Sequence, residues 1–216
     1  MDFSSIKHRL GLLLNVAQLP LEIRVRHLQK KYPGIQLMPS EIVAIARAIQ
    51  KHDECKFLVF GLGNDSPAWS ELNRNGKTVF LEDNAEWHSR ISNQYRHLET
   101  YLIDCKTNID QWQSLLSSPD ELQIELPKQL LNEEWDVILV DGPCGSKDWH
   151  LSEFGTLPTG RMASIFMSSE LCKTGGDVFV HDCEREVEDA YTRKHLANNK
   201  TLVEEVNGRA LLRHYQ

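Results

Sequence analysis

The 216-residue sequence lacks the features that mark several classes of protein. Its five cysteines are odd in number and form no C-x-x-C pair, so free thiols fit better than a disulfide framework or a structural zinc site. No block of Lys and Arg occurs and the formal net charge is −7, so we expect no nucleic-acid partner. No apolar run is long enough to span a bilayer, and there are no internal repeats.

The apolar run near the N-terminus is too short and too interrupted for a signal peptide. Asn15 and Gln18 break the stretch at 7–20, which predicts an amphipathic helix instead. With free thiols and no membrane span, we expect a cytoplasmic protein.

Short apolar runs alternate with amphipathic stretches from residue 57 onward. This alternation predicts strands buried on both faces of a parallel sheet, at 57–60, 78–82, 100–104, 135–141 and 176–182. Asn207-Gly208 between two further strand-like runs predicts a hairpin. We therefore predict an α/β, Rossmann-like class I methyltransferase fold: a mostly parallel seven-stranded sheet closed by a C-terminal antiparallel hairpin.

The same pattern sets the expected organisation of the chain. Residues 1–52 read as a helical segment, with a helix beginning near Ser40, and residues 53–216 as the cofactor-binding domain. We expect the two parts to pack into a single compact domain.

A glycine turn follows the first predicted strand. Gly61 and Gly63 let a backbone approach a ligand closely, while Ser66 is a suitable N-cap with Pro67 in the first helical position. The third glycine of the dinucleotide fingerprint is absent, which argues against a pyrophosphate ligand. Glu82 and Asp83 end the next strand, about twenty residues on, where an acidic side chain binds ribose hydroxyls. The sequence thus predicts a nucleoside-containing cofactor, although these acids could also be a solvated loop start.

Titratable residues end the two later strands. Asp141, His181 and Asp182 should meet at the carboxyl edge of the sheet. His181 or Asp182 could then act as a general base, and Asp141 with Asp182 could hold a divalent cation. Turn capping and a structural hydrogen bond remain the alternative roles.

Two residues of the polar loop and its continuation are candidates for substrate binding. Arg161 could recognise a carboxylate through its guanidinium, or could form a surface ion pair. Trp149 could stack on a sugar face, whereas Trp69, at helical spacing, reads as core.

Four motifs together resemble a known family. The stretches "FLVFGLGNDSPAWSELNRNGKTVFLED", "EWDVILVDGPCG", "GRMASIF" and "DVFVHDCEREVED" are similar to the plant glucuronoxylan and arabinogalactan glucuronic acid 4-O-methyltransferases, over about residues 40–200. Two features depart from the plant pattern: no N-terminal membrane anchor is evident, and the loop between Gly145 and Arg161 is longer. The chain resembles a short soluble relative.

The resemblance implies methyl transfer from S-adenosylmethionine to the 4-hydroxyl of a glucuronic acid in a glycan. It implies that Gly61, Gly63, Glu82 and Asp141 lie at the cofactor, and that Arg161, His181 and Asp182 face the acceptor. Two alternatives stay open: a cation-dependent O-methyltransferase of another small hydroxylated molecule, and a non-catalytic member that binds cofactor or polysaccharide.

Overall fold

The structure is a computed structural model that describes residues 19–216. The amphipathic helix predicted at 7–20 lies, apart from its last two residues, outside the described part. Two helices open the described chain, α1 (Leu21–Lys31) and α2 (Pro39–Ile49). Among residues 19–216, no helix is long and apolar enough to cross a membrane.

A seven-stranded sheet forms the centre of the molecule. Its strands are β1 (Lys56–Phe60), β2 (Lys77–Glu82), β3 (Glu99–Leu102), β4 (Trp135–Val140), β5 (Cys172–Val180), β6 (Leu202–Asn207) and β7 (Leu211–Tyr215), in the order β3-β2-β1-β4-β5-β7-β6. Strands β1 to β5 pair in parallel, and β7 pairs antiparallel with both β5 and β6. The predicted parallel sheet and C-terminal hairpin are both confirmed.

The connecting helices lie between these strands. They are α3 (Ser66–Leu72), α4 (Ala85–Gln94), α5 (Trp112–Leu115), α6 (Lys128–Leu131), α7 (Lys147–Phe154), α8 (Met162–Leu171) and α9 (Glu186–Tyr191), with short 3₁₀ turns at Ile109–Gln111 and Pro119–Leu122 and a π-helical turn at Thr192–Leu196.

Side chains alternate along the central strands into two cores, one on each face of the sheet. Leu58 and Phe60 of β1 pack on the face covered by α8, whereas Phe57 and Val59 pack on the face covered by α1 and α2. Because β1 and β4 are covered on both sides, residues 57–60 and 137–140 are continuously apolar rather than alternating. Helix α2, with Ile45 fully buried, belongs to the second core.

The boundaries of α3 differ from those expected. Asp65 is the N-cap, so Ser66 occupies the first helical position and Pro67 the second. The helix ends at Leu72 rather than near Gly76, because the Asn73 side chain turns inward to donate hydrogen bonds to the carbonyls of Cys55 and Lys77. This shift leaves the glycine turn in its predicted place at the end of β1.

Candidate active site

The glycine turn brings the end of β1 against the end of β4. Gly61 has a φ of 121°, and a β-carbon there would lie 3.2 Å from the Gly142 nitrogen and 3.3 Å from the Asp141 carbonyl carbon. Glycine is therefore required for this close approach. The Ser66 hydroxyl accepts a hydrogen bond from the Gly63 N–H at 2.8 Å, so Ser66 braces the turn from within the protein.

Glu82 at the end of β2 is tied directly to this turn. Its Oε2 accepts a hydrogen bond from the Leu62 N–H at 3.0 Å, and its Oε1 accepts one from the Asn84 N–H at 3.0 Å. Burial raises the pKa of Glu82 to about 8. The two backbone donors oppose this rise, because they favour the ionised form. In the ionised form, each oxygen keeps a second lone pair that can receive a ligand hydroxyl.

Asp83 makes a different contact from its neighbour. Its Oδ2 accepts a hydrogen bond from the Thr159 hydroxyl at 2.7 Å, which fastens the end of the 145–160 loop to β2. Of the predicted acidic pair, Glu82 thus lies at the glycine turn and Asp83 supports the loop.

The ends of β4 and β5 converge as the sequence predicts. One ligand-type atom from each of Asp141, His181 and Asp182 lies within 4.8 Å of the others. Arg161, one residue before α8, inserts its guanidinium among them, with Nη2 2.8 Å from Asp182 Oδ2 and 3.2 Å from Asp141 Oδ1. A fifth member comes from α2: Glu41 Oε1 lies 2.9 Å from His181 Nε2. We call these five residues the strand-end network.

Exposure differs sharply across the strand-end network. The side chains of Glu41, His181, Arg161 and Asp182 are 0, 2, 6 and 9% exposed, whereas that of Asp141 is 27% exposed. Asp141 is therefore the member of the network that a ligand in the crevice can reach most directly.

The geometry argues against the predicted role of His181 as general base. Its imidazole lies between Glu41 on one side and Asp141 (3.1 Å) and Asp182 (3.5 Å) on the other. Burial alone would lower the pKa of His181, but the three carboxylates outweigh it and raise the pKa to about 11. A buried imidazolium has no free lone pair to accept a proton.

Asp182 is an equally poor proton acceptor in this arrangement. Burial would raise its pKa, but His181, Arg161 and Arg185 outweigh burial and hold the pKa well below its usual range. Asp182 has a positive φ of 62°, which is unusual for a non-glycine residue. Its side chain lies among the three cations named above.

The pH dependence of turnover follows from the His181 environment. Because its pKa is about 11, His181 stays protonated on both sides of neutrality, and turnover should show no acid limb at pH 6–7 from this group. A pH–rate profile measured with saturating substrates checks this expectation, and a limb that disappears in His181→Gln would contradict it.

Arg161 is also placed differently from the expectation. It is buried, and its guanidinium donates hydrogen bonds inside the protein: Nε to Pro143 O at 3.1 Å, Nη1 to His181 O at 2.8 Å and Nη2 to Asp141 O at 3.0 Å. A guanidinium engaged in this way cannot offer its fork to a substrate carboxylate, so the predicted contact is corrected to an internal one.

A divalent cation at Asp141 and Asp182 does not fit this arrangement. The Arg161 guanidinium already lies between the two carboxylates, so metal binding would require Arg161 to move.

Helix α7 rises from the loop beside this site. None of its residues is buried, and Trp149 and Phe154 are 53 and 48% exposed, with ring centroids 5.7 Å apart. The loop returns to the body of the protein at Thr159, which binds Asp83. Trp149 is therefore available to a ligand, whereas Trp69 is core, 1% exposed, as predicted.

A match to a protein-family model identifies the family of this chain. The model described as IRX15/IRX15L/GXM matches residues 40–124 and 120–215. The chain belongs to the IRX15/IRX15L/GXM family. This confirms the resemblance drawn from the four sequence motifs.

Several IRX15/IRX15L/GXM relatives come from Arabidopsis thaliana. Glucuronoxylan 4-O-methyltransferase 1 is 34% identical over 72% of this chain and 60% of its own length. Glucuronoxylan 4-O-methyltransferase 2 is 33% identical over 81 and 63%. Arabinogalactan O-methyltransferase 2 is 29% identical over 89 and 72%. The chain thus spans about six tenths of the length of the two glucuronoxylan relatives.

Solved structures with the same fold include distant methyltransferases. A candidate caffeoyl-CoA O-methyltransferase from Staphylococcus aureus aligns with a TM-score of 0.50 and 12% identity over 97% of this chain and 98% of its own. A protein of Thermoplasma acidophilum aligns with a TM-score of 0.51 and 12% identity over 91 and 94%. The class I methyltransferase fold predicted from sequence is confirmed for this member of the IRX15/IRX15L/GXM family.

Sequence reasoning missed several residues that this family member gathers at the site: Glu41, Asp65, Arg185 and Glu188. Asp65 accepts a hydrogen bond from the Trp69 indole at 2.8 Å, and burial together with the nearby Asp141 raises its pKa to about 6. Glu41 reads in the sequence only as a first-turn acid of a helix. No local pattern indicates that either side chain reaches the crevice.

Proposed function

We propose that this chain is an S-adenosylmethionine-dependent O-methyltransferase acting on the 4-hydroxyl of a glucuronic acid in a glycan. The observation that carries the proposal is the hydrogen bond from the Leu62 N–H to Glu82 Oε2. It joins a glycine turn to a hydroxyl-accepting carboxylate at the carboxyl edge of a parallel sheet, where nucleoside ligands bind. Membership of a family that includes named glucuronoxylan 4-O-methyltransferases supports the choice of reaction and acceptor.

The residues present suit the cofactor. Glu82 would receive the ribose hydroxyls, and the backbone of Gly61 to Gly63 would lie beside the ligand without side-chain obstruction. Asp141, partly exposed and held by Arg161, would face the ammonium group of the methionine portion of S-adenosylmethionine. When bound, that cofactor supplies the methyl group on a sulfonium.

The protein's contribution would be alignment and charge placement. A hydroxyl must approach the methyl carbon in line with the departing sulfur, and fixing that geometry accounts for much of the rate. Within the strand-end network, Arg161 and His181 both contact the Asp141 carboxylate and hold it in place. We assign the proton that leaves the hydroxyl to the Asp141 carboxylate, because Asp141 is more exposed than Asp182 and contacts two cations where Asp182 contacts three.

The acceptor would lie under α7. Trp149 and Phe154 present aromatic faces that suit the apolar faces of sugar rings, and they stand on the loop that joins Asp141 to Arg161. This arrangement suits a glycan better than a small charged metabolite.

Calorimetry with S-adenosylhomocysteine and NAD tests the cofactor assignment. We expect saturable binding of S-adenosylhomocysteine and none of NAD, because the turn lacks the third glycine that a pyrophosphate needs and has Glu82 at the ribose position. Tight NAD binding together with no response to S-adenosylhomocysteine would exclude the proposed reaction.

A cation-dependent methyltransferase is the second candidate, and the cluster of Asp141, His181 and Asp182 is the observation in its favour. Excess chelator separates the two. Activity that persists in chelator supports the resident guanidinium of Arg161 as the cation of the site. Activity that is lost in chelator and restored by added divalent ion supports the second candidate. Binding of cofactor without transfer to any sugar would instead support a non-catalytic family member.

A further inference from the structure

Arg185 differs from the other cations that contact Asp182. Asp182 Oδ2 lies 2.8 Å from Arg161 Nη2, 3.5 Å from His181 Nδ1 and 3.0 Å from Arg185 Nη1. The side chains of Arg161 and His181 are 6 and 2% exposed, whereas that of Arg185 is 31% exposed. Arg185 is thus the cation of this group that an incoming anion can meet.

The guanidinium of Arg185 also has donors left to offer. Its Nη1 contacts Asp182 and lies 3.7 Å from Glu188 Oε1. Within residues 19–216, its Nε and Nη2 make no hydrogen bond to the protein. Arg161, by contrast, uses all three of its nitrogens on internal acceptors. A planar fork with unused donors is the group that binds a carboxylate in a bidentate way.

Neither carboxylate beside Arg185 forms an exclusive, hydrogen-bonded pair with it. Asp182 is shared with two other cations, so it cannot neutralise Arg185 alone. Glu188 is fully buried, neither of its carboxyl oxygens has a hydrogen-bond partner in the described part of the chain, and burial raises its pKa.

The backbone after β4 lies directly on this pair of side chains. A β-carbon at Gly145 would lie 2.9 Å from Arg185 Nη1 and 2.3 Å from Glu188 Oε1, so the loop passes in direct contact with both side-chain ends. Two residues further on, the same loop becomes α7 with its exposed Trp149. Arg185 therefore lies at the base of the segment that would cover the acceptor.

We propose that Arg185, one turn after β5, is the residue that recognises the carboxylate of the acceptor's uronic acid. This inference rests on the proposed function and names the specificity-determining contact of that site. A carboxylate paired with Nε and Nη2 would fix the sugar ring relative to Asp141, while Asp182 holds Nη1 in place.

The test compares two acceptors that differ only in charge: a xylo-oligosaccharide that bears a glucuronic acid (the glucuronoside) and its C6 amide. Arg185→Gln should lower kcat/KM for the glucuronoside by about 10- to 150-fold, the range for losing a charge-assisted hydrogen bond, and should change that for the amide by less than about 3-fold. Arg185→Lys, which keeps the charge but not the fork, should fall between the two. Affinity for S-adenosylhomocysteine should stay within about 2-fold of the wild type, since Arg185 is placed at the acceptor.

Arg193→Gln is the matched control, because Arg193 follows α9 and its side chain is 69% exposed in a pair with Asp189. It should leave both acceptors unchanged. Equal losses on glucuronoside and amide in Arg185→Gln, or no loss on either, would overturn the role of Arg185.

A wild-type enzyme that transfers no methyl to either compound would contradict the proposed function. Binding measurements would then test the contact between Arg185 and the carboxylate. In that case, glucuronoside binding that is weakened by Arg185→Gln and not by Arg193→Gln supports the contact. Binding that is equal in all three proteins rejects it.

Discussion

Arg161→Met should lower the free energy of unfolding by about 3–5 kcal/mol, the cost of removing one partner from a buried ion pair. The physical reason is that Asp182, 9% exposed, and the more open Asp141 would lose the cation lying 2.8 and 3.2 Å away. Three backbone carbonyls, of Pro143, Asp141 and His181, would lose their donor as well. Urea unfolding followed by far-UV circular dichroism measures the change.

Two further variants make this measurement specific. Arg161→Lys keeps a charge but cannot reach all of these acceptors at once, so its loss should be smaller than that of Arg161→Met. Arg193→Met removes an exposed arginine paired with Asp189 and should leave the free energy of unfolding close to that of the wild type. If Arg161→Met were as stable as Arg193→Met, the buried position of Arg161 would be wrong.

Glu82→Ala should weaken the binding of S-adenosylhomocysteine by about 1–3 kcal/mol, the scale for losing a hydrogen-bonded polar partner. Glu82 would provide the acceptor for the ribose hydroxyls, and its removal would also free the Leu62 N–H that braces the glycine turn. Isothermal titration calorimetry gives the affinity directly.

Glu82→Gln and Glu125→Ala are the controls for this prediction. The glutamine keeps the volume of the side chain and one acceptor oxygen, so it separates loss of the ligand contact from collapse of the turn. Glu125, with a 90% exposed side chain, should be silent. Unchanged affinity in Glu82→Ala would show that Glu82 does not contact the ribose.

The sequence predicts the sheet well because its signals are local. Apolar runs such as residues 137–140 of β4 arise where both faces of a strand are covered, and Asn207-Gly208 marks the hairpin as a local turn signal between two strand-like runs. The convergence of Asp141 with His181 and Asp182 also follows, since parallel strands end at one edge.

The charge network could not be predicted in the same way. Glu41 and His181 are 140 residues apart, and their contact depends on how α2 packs over the hairpin turn. A β-carbon at Gly208 would lie 2.2 Å from the Glu41 carboxyl carbon, so the turn closes directly on this side chain. Periodicity and spacing carry no information about such long-range pairing. For the same reason, the sequence suggests an exposed Arg161 guanidinium, whereas the guanidinium is buried in the structure.

The most direct test of the proposed function is to identify the product of methyl transfer. The protein is incubated with S-adenosylmethionine carrying a ¹³C-labelled methyl group and with a xylo-oligosaccharide that bears glucuronic acid, and the product is analysed by NMR. We predict a single labelled methyl ether on O4 of the glucuronic acid, absent in Glu82→Ala at low cofactor concentration. Binding of S-adenosylhomocysteine without any labelled ether, or a label on another class of acceptor only, would contradict it.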